Sequence, residues 1–323
     1  MRLISSHFDK VIADHIVPVT DREAAMALFK RSVSMVEIEL FSYCNRRCWF
    51  CPNAHTDRIS ENIHMGADVY SSVISQLAEV DYRHVITYSR YNEPLADKVI
   101  LDRVREARAK LPKAKLHTNT NGDYLNLEYL AELYDAGMRS LNIQIYLKNH
   151  ERYDHAKTIA RAQQTLRRLM LPYKVTIDQP GLWYEMQLEY KDMKLRLYGR
   201  NFEVNGTSRG DQVDIRRDYV RRLPCSQPVW GVYIDYNGMM VPCCNFRSDI
   251  AAHADYMIAD LHIAPDIFLN YGSEASAKFR RSLLSYEPKS GPCSNCHFGL
   301  EELTPERQTR IADLLGENAV AAE

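Results

Sequence analysis

Eight cysteines carry the strongest chemical signal in the chain, because they fall into two groups separated by 173 residues that contain none. The first group, Cys44, Cys48 and Cys51, lies in the segment CNRRCWFC. Three thiolates within so short a loop can wrap one iron–sulfur cluster and leave it one ligand short, and an open iron is a place where chemistry happens. A structural zinc knuckle is the plain alternative, with His55 as its fourth ligand. The second group is Cys225, Cys243, Cys293 and Cys296. It offers four thiolates from two loops, enough to close a cluster or a zinc ribbon. Cys244 is left over, either a small buried hydrophobe or a functional thiol.

The elements that must position these groups show in the hydrophobic pattern. From Ser34 to about Met186, β-rich runs alternate with helical periodicity, which predicts βα units and a parallel sheet. Candidate strands are Met35 to Phe41, Val85 to Arg90, Lys115 to Asn119, Leu141 to Tyr146 and Lys174 to Ile177; helical stretches are Asp68 to Ala78, Lys98 to Lys110, Leu127 to Ala136 and Ala156 to Met170. The first cysteine group follows the first strand directly. In LNIQIY, apolar and polar residues alternate, so Asn142, Gln144 and Tyr146 share an inner, ligand-facing side while Leu141, Ile143 and Ile145 meet the outer helices. His117, Asn119 and Asn121 share one side of their strand in the same way.

After Trp183 the texture changes to shorter, turn-punctuated strands, with a turn expected at Gly199 in KLRLYGRNFEV and a hairpin at Asn237-Gly238 in WGVYIDYNGMMVP. The expected organisation is an N-terminal extension (1–33), a barrel (34–212), a cysteine-rich module (213–302), then a closing helix over Pro305 to Leu315 with a fraying tail ENAVAAE (303–323 in all).

Charge excludes some partners. The 323 residues hold 41 Lys and Arg against 42 Asp and Glu, so no basic field favours nucleic acid or an anionic membrane. The opening MRLISSHFDK is charged where a signal peptide needs an apolar run, and the least charged stretch, 223–246, holds Asp235 with several prolines and glycines. The expected location is the cytoplasm. Reduced thiols there act as ligands or catalysts rather than disulfides.

The spacing CxxxCxxC after a first strand resembles the signature of the radical SAM superfamily. That resemblance implies an α/β fold, a partial (β/α)6 barrel, and a [4Fe-4S] cluster on Cys44, Cys48 and Cys51. The fourth iron is chelated by the amine and carboxylate of S-adenosylmethionine (SAM), and reductive cleavage gives a 5′-deoxyadenosyl radical that abstracts hydrogen from substrate. Phe50 then packs on the adenine. Ser89-Arg90-Tyr91-Asn92-Glu93-Pro94-Leu95 resembles the Gly-Gly-Glu-Pro motif, with Tyr91 and Asn92 in place of the glycines, and assigns Glu93 to the methionyl ammonium. Gln144 aligns with a position that serves the SAM ribose or carboxylate, and His117, Asn119 and Asn121 reach SAM or substrate.

The second cysteine group resembles the twitch domain, the shortened form of the SPASM module, which implies an auxiliary [4Fe-4S] cluster held by all four cysteines and used for electron transfer. In order and spacing the chain resembles the radical SAM dehydrogenase class of butirosin biosynthesis, which oxidises an alcohol of 2-deoxy-scyllo-inosamine. The resemblance implies a small-molecule substrate and a flavodoxin- or ferredoxin-type electron donor. Three other readings stand beside it. They are epimerisation with Cys244 as hydrogen donor, peptide maturation (for which the 43 residues before Cys44 leave little room for a leader-binding domain), and a two-cluster electron carrier or iron sensor. Arg209, in NGTSRGD between the two modules, is either a surface turn residue or a catalytic-site group holding substrate hydroxyls or the SAM carboxylate. His117, Tyr146 and Glu189 are the candidate proton acceptors.

Overall fold

In MVEI, the strand β1 (Met35–Ile38), the alternation buries Val36 and Ile38 completely and turns Glu37 to the opposite face. The same rule builds the rest of the sheet in the computed structural model, which describes residues 12–298 and 305–316. In chain order the elements after α1 (Arg22–Ser32) and β1 are α2 (Ala67–Glu79), β2 (Val85–Thr87), α3 (Val99–Lys110), β3 (Lys115–Thr120), α4 (Leu127–Ala136), β4 (Ser140–Gln144) and α5 (His155–Leu169). Next come β5 (Tyr173–Gln179), β6 (Trp183–Tyr190), β7 (Met193–Arg200) and a short α6 (Phe202–Asn205). The C-terminal part holds α7 (Gln227–Trp230), β8 (Gly231–Ile234), β9 (Met239–Val241), β10 (Ala259–Asp260), α8 (Ile267–Gly272), α9 (Glu274–Ser282) and α10 (Pro305–Leu315).

Ten strands form one sheet in the order β10-β9-β8-β1-β2-β3-β4-β7-β6-β5. The six from β8 to β7 run parallel, as expected of βα crossovers. Strand residues Ile86, Leu116, Leu141 and Ile143 pack against Ile74 and Leu77 of α2, Val104 of α3 and Leu133 of α4, all fully or nearly fully buried. Each such side chain contributes roughly 1.5–3 kcal/mol by leaving water.

Three expectations are corrected. The strand expected at Lys174 to Ile177 is real but is not the fifth parallel strand: β5 pairs antiparallel with β6 at the far edge, and β7 takes the place beside β4. Gly199 is no turn. It lies within β7, where an added Cβ would come 2.4 Å from Thr158 Cγ2 of α5, so glycine is there to let helix and strand approach. The cysteine-rich module, expected to begin at 213, does not stand apart from the barrel, since its strand β8 pairs with β1 along four residues.

The hairpin expected at Asn237-Gly238 is present between β8 and β9, with Gly238 at φ +76. The closing helix α10 docks Ile311 onto Ile12, Ile16 and Leu284. The tail ENAVAAE and the opening MRLISSHFDK lie outside the described residues. Among the described residues no helix is long and apolar enough to cross a membrane.

Candidate active site

In a parallel sheet the loops leaving the carboxyl ends of the strands converge on one side, where ligands bind. Here the loop after β1 carries the first cysteines and is tied to its neighbours by directed hydrogen bonds. Arg46 makes a two-pronged contact with Asp123, at 2.7 Å through both Nε and Nη2, and Asn45 bonds both Asp123 and Asn121. Trp49 Nε1 donates to the Glu151 carbonyl at 2.9 Å. Phe50 stacks on Phe202, with centroids 3.6 Å apart and planes within 2°.

These loops enclose about 980 Å³ of space, the open mouth included. Cys44, Cys48, Cys51 and Phe50 line it, as do Tyr91, Asn92, Glu93, Asn119, Gln144 and Arg209. The structure thus brings all of these expected residues to one cavity. Burial pushes the Cys44 thiol well up and the Cys48 thiol up to about 12, so the free thiols hold their protons until a metal supplies positive charge. His55 is exposed and does not line the cavity that the three cysteines share. The fourth ligand expected for a zinc knuckle is therefore not among the residues lining the site.

The remaining residues divide into those already engaged and those left open. Glu93 accepts from Thr120 Oγ1 at 2.5 Å, the Asn121 amide at 2.7 Å and the Leu95 amide at 3.1 Å. Burial pushes its pKa up to about 7 against the pull of those donors. With about four acceptor positions on a carboxylate, one remains for a ligand. Gln144 Oε1 accepts from Tyr146 at 2.5 Å, and Asn119 bridges Ser89 and Asn142. Tyr91 donates to the Cys244 carbonyl at 2.9 Å. Asn92 Nδ2 is buried with no partner, and Arg200 Nε likewise. Neither the Arg200 nor the Arg209 guanidinium has an acid partner among the described residues, although Arg200 lies 4.7 Å over the Phe202 ring. Unanswered donors around a polar cavity are what an anionic, oxygen-bearing ligand satisfies.

Two expected proton acceptors are corrected. Glu189 is exposed on β6 and paired with Lys194, away from the cavity. His117 is half-buried, bonded to Ser140 at 2.9 Å, and its partial burial lowers its pKa to about 4; it does not line the cavity. Several lining residues went unread in the sequence, two of them charged side chains on strands. Glu37 and Arg200 both face the cavity, and the period-two pattern of MVEIEL and of KLRLYGR carried the signal.

Residues 38–170 match the model of the Radical SAM superfamily. The chain carries a radical SAM domain. A segment of 106 residues, 33% of this chain and 42% of the relative, is 35% identical to the S-adenosyl-L-methionine-dependent 2-deoxy-scyllo-inosamine dehydrogenase of Niallia circulans. Over 171 residues, 50% of this chain and 52% of the relative, it is 25% identical to the GTP 3',8-cyclase of Alkaliphilus metalliredigens. The matches thus span about half or less of these curated relatives. In fold, the chain resembles the crystal structure of BtrN in complex with AdoMet and 2-DOIA, with TM-score 0.59 and 22% identity over 82% of this chain and 93% of that one. A radical SAM domain works with a [4Fe-4S] cluster and SAM, and the three thiols lining the cavity, the unpartnered Asn92 amide and the Arg209 guanidinium fit that pair.

Behind the radical SAM domain's cavity lies a second, largely apolar one lined by Cys225, Cys243, Cys293 and Cys296, with Arg221, Phe246 and Phe279. Arg221 is buried and donates to the carbonyls of Leu223, Pro224, Cys296 and Phe298, gathering the loops that carry the thiols. Cys244 lines neither cavity. A hydrogen bond with Cys243, with Arg209 and Arg90 nearby, draws its pKa down to about 7 against the effect of burial.

Proposed function

We propose that the protein is a radical SAM oxidoreductase that dehydrogenates an alcohol of a small sugar- or aminocyclitol-like substrate. The observation that carries this reading is the wall between the two cavities. Tyr91, which lines the first, holds the Cys244 carbonyl, and the next residue back, Cys243, lines the second. Oxidising an alcohol after hydrogen abstraction leaves one electron to dispose of, and the four cysteines that line the second cavity would hold the acceptor. The bound cluster and SAM supply the 5′-deoxyadenosyl radical. The chain's own residues do the rest: Glu93 and Asn92 receive the methionyl group, Phe50 packs on the adenine, and Arg209 takes the SAM carboxylate. An auxiliary [4Fe-4S] cluster on Cys225, Cys243, Cys293 and Cys296, a flavodoxin- or ferredoxin-type donor and a cytoplasmic setting complete the proposal. Epimerisation is the weaker reading because Cys244 does not line the first cavity.

The test is anaerobic reconstitution with iron and sulfide counting, then incubation with SAM, reductant and 2-deoxy-scyllo-inosamine. About eight irons per chain are expected, with one ketone formed for each deoxyadenosine. Zinc in the second site, or deoxyadenosine without ketone from any cyclitol or sugar tried, would overturn the dehydrogenase reading. A Cys293→Ala/Cys296→Ala variant is expected to keep SAM cleavage while ketone formation falls by about 100-fold or more, and undiminished ketone would remove the electron-transfer role. Arg209→Ala is expected to raise the SAM concentration for half-maximal cleavage by roughly tenfold or more, the loss of one charge-assisted contact, with the iron count unchanged.

A further inference from the structure

Dehydrogenation requires a proton acceptor for the alcohol, and most cavity groups that could serve are already committed. Glu93 holds three donors. Tyr146 donates to Gln144, and Tyr91 to a carbonyl. Arg46 is locked to Asp123, and the remaining arginines carry no acceptor. Glu37 is the exception. In the parallel register it sits between Thr87 of β2 and Tyr233 of β8, on the inner face of the sheet. Its side chain is 12% exposed, opens to the cavity, and accepts no hydrogen bond from any described residue.

We propose that Glu37 is the substrate-facing proton acceptor of the reaction, an inference that rests on the dehydrogenase reading above. As the substrate C–H hydrogen atom passes to the deoxyadenosyl radical, forming the C–H bond of 5′-deoxyadenosine, the hydroxyl proton passes to a Glu37 carboxylate oxygen. The remaining unpaired electron of the resulting ketyl leaves to an oxidised iron–sulfur cluster, and the C=O bond is complete. One proton, one hydrogen atom and one electron are thereby accounted for.

The charged and titratable groups around Glu37 are Arg90, whose Nη1 lies 3.8 Å away, then Cys244, Arg209, Glu39 and Tyr233. Burial pushes the Glu37 pKa up to about 8, with Arg90 and Arg209 pulling it back and Cys244 and Glu39 adding to the rise. Its ionised form therefore grows in as pH rises through about 8, and an acceptor must be ionised, so ketone formation should rise over the same range.

The experiment compares reconstituted wild type with Glu37→Gln and Glu37→Asp, reading deoxyadenosine and ketone separately. Glu37→Gln is expected to cleave SAM but to form ketone about 100-fold more slowly, the usual contribution of a positioned base, and to lose the pH rise; Glu37→Asp recovers part of both. Ketone within threefold of wild type in Glu37→Gln, or the same pH rise, overturns the assignment. If wild type makes deoxyadenosine and no ketone, the dehydrogenase reading is what has failed. Glu37 is then read in the oxidised, SAM-loaded enzyme, which cannot turn over: an infrared carboxyl band that is lost on raising the pH through about 8 and is missing in Glu37→Gln keeps the open acid, and no such band overturns it.

Discussion

Alanine in place of any one of Cys44, Cys48 or Cys51 is expected to reduce 5′-deoxyadenosine formation to the uncatalysed background. All three thiols line one cavity, two of them buried, and no other cysteine lines it. A cluster already one protein ligand short has no spare ligand to lose, and no fourth cysteine lines the cavity to replace the missing thiolate. Iron counting separates this outcome from unfolding. About four irons should remain in each variant, held by the second group of cysteines, and thermal midpoints should show a folded chain. Deoxyadenosine at more than a trace from any of the three would remove that cysteine from the ligand set.

Much of this site was legible before any coordinates. The helix read at Leu127 to Ala136 is α4 to the residue, because Asn126 caps it by accepting from the Tyr129 amide and Gly137 ends it at φ +114. The inner face of β4 was legible because alternation fixes sides. It does not fix position along the strand: His117 obeys the same period as Asn119, yet it bonds Ser140, Asn119 and Asn142 and does not line the cavity. The misread strand shows a different limit. Tyr173 to Gln179 has the composition of a strand, but its partner is chosen by the Gly181 turn to β6, and nothing in a run of seven residues says whether the neighbour is parallel or antiparallel. Glu37 and Glu39 alternate together in the sequence and part company in the fold. Glu39 is wholly buried and held by Arg58 and the Tyr91 amide, whereas Glu37 is left facing open space. Their difference comes from Arg58 and Tyr91, far along the chain, and no local pattern reports it.

That same tertiary wiring predicts the largest effect on stability. Arg90 and Asp235 meet at 2.6 Å with both side chains fully buried, joining the loop after β2 to the end of β8. Their contact is one of charge more than of aligned hydrogen bonding, for Arg90 Nε and Asp235 Oδ1 both lack a well-directed partner. Arg90 also donates to the Phe246 carbonyl at 2.6 Å, and Asp235 accepts from the Ser248 amide at 2.6 Å. Asp235→Ala therefore leaves a guanidinium buried with only the more distant Glu37 and Glu39 carboxyls to answer it, at a cost of about 3–5 kcal/mol, or roughly 4–7 °C in the thermal midpoint. An Asp235→Leu/Arg90→Met double variant should recover most of that loss, since two apolar side chains carry no desolvation penalty. Chemical denaturation of the reconstituted proteins under anaerobic conditions would measure both. A single variant within about 1 kcal/mol of wild type, the worth of an exposed pair, would mean that the contact is not the buried pair described. If Asp235→Ala remains folded, Arg90 is freed toward Glu37, which lowers the pH at which that carboxyl ionises. The rise in ketone formation should then begin below the wild-type range, linking the wiring of the fold to the proton step it serves.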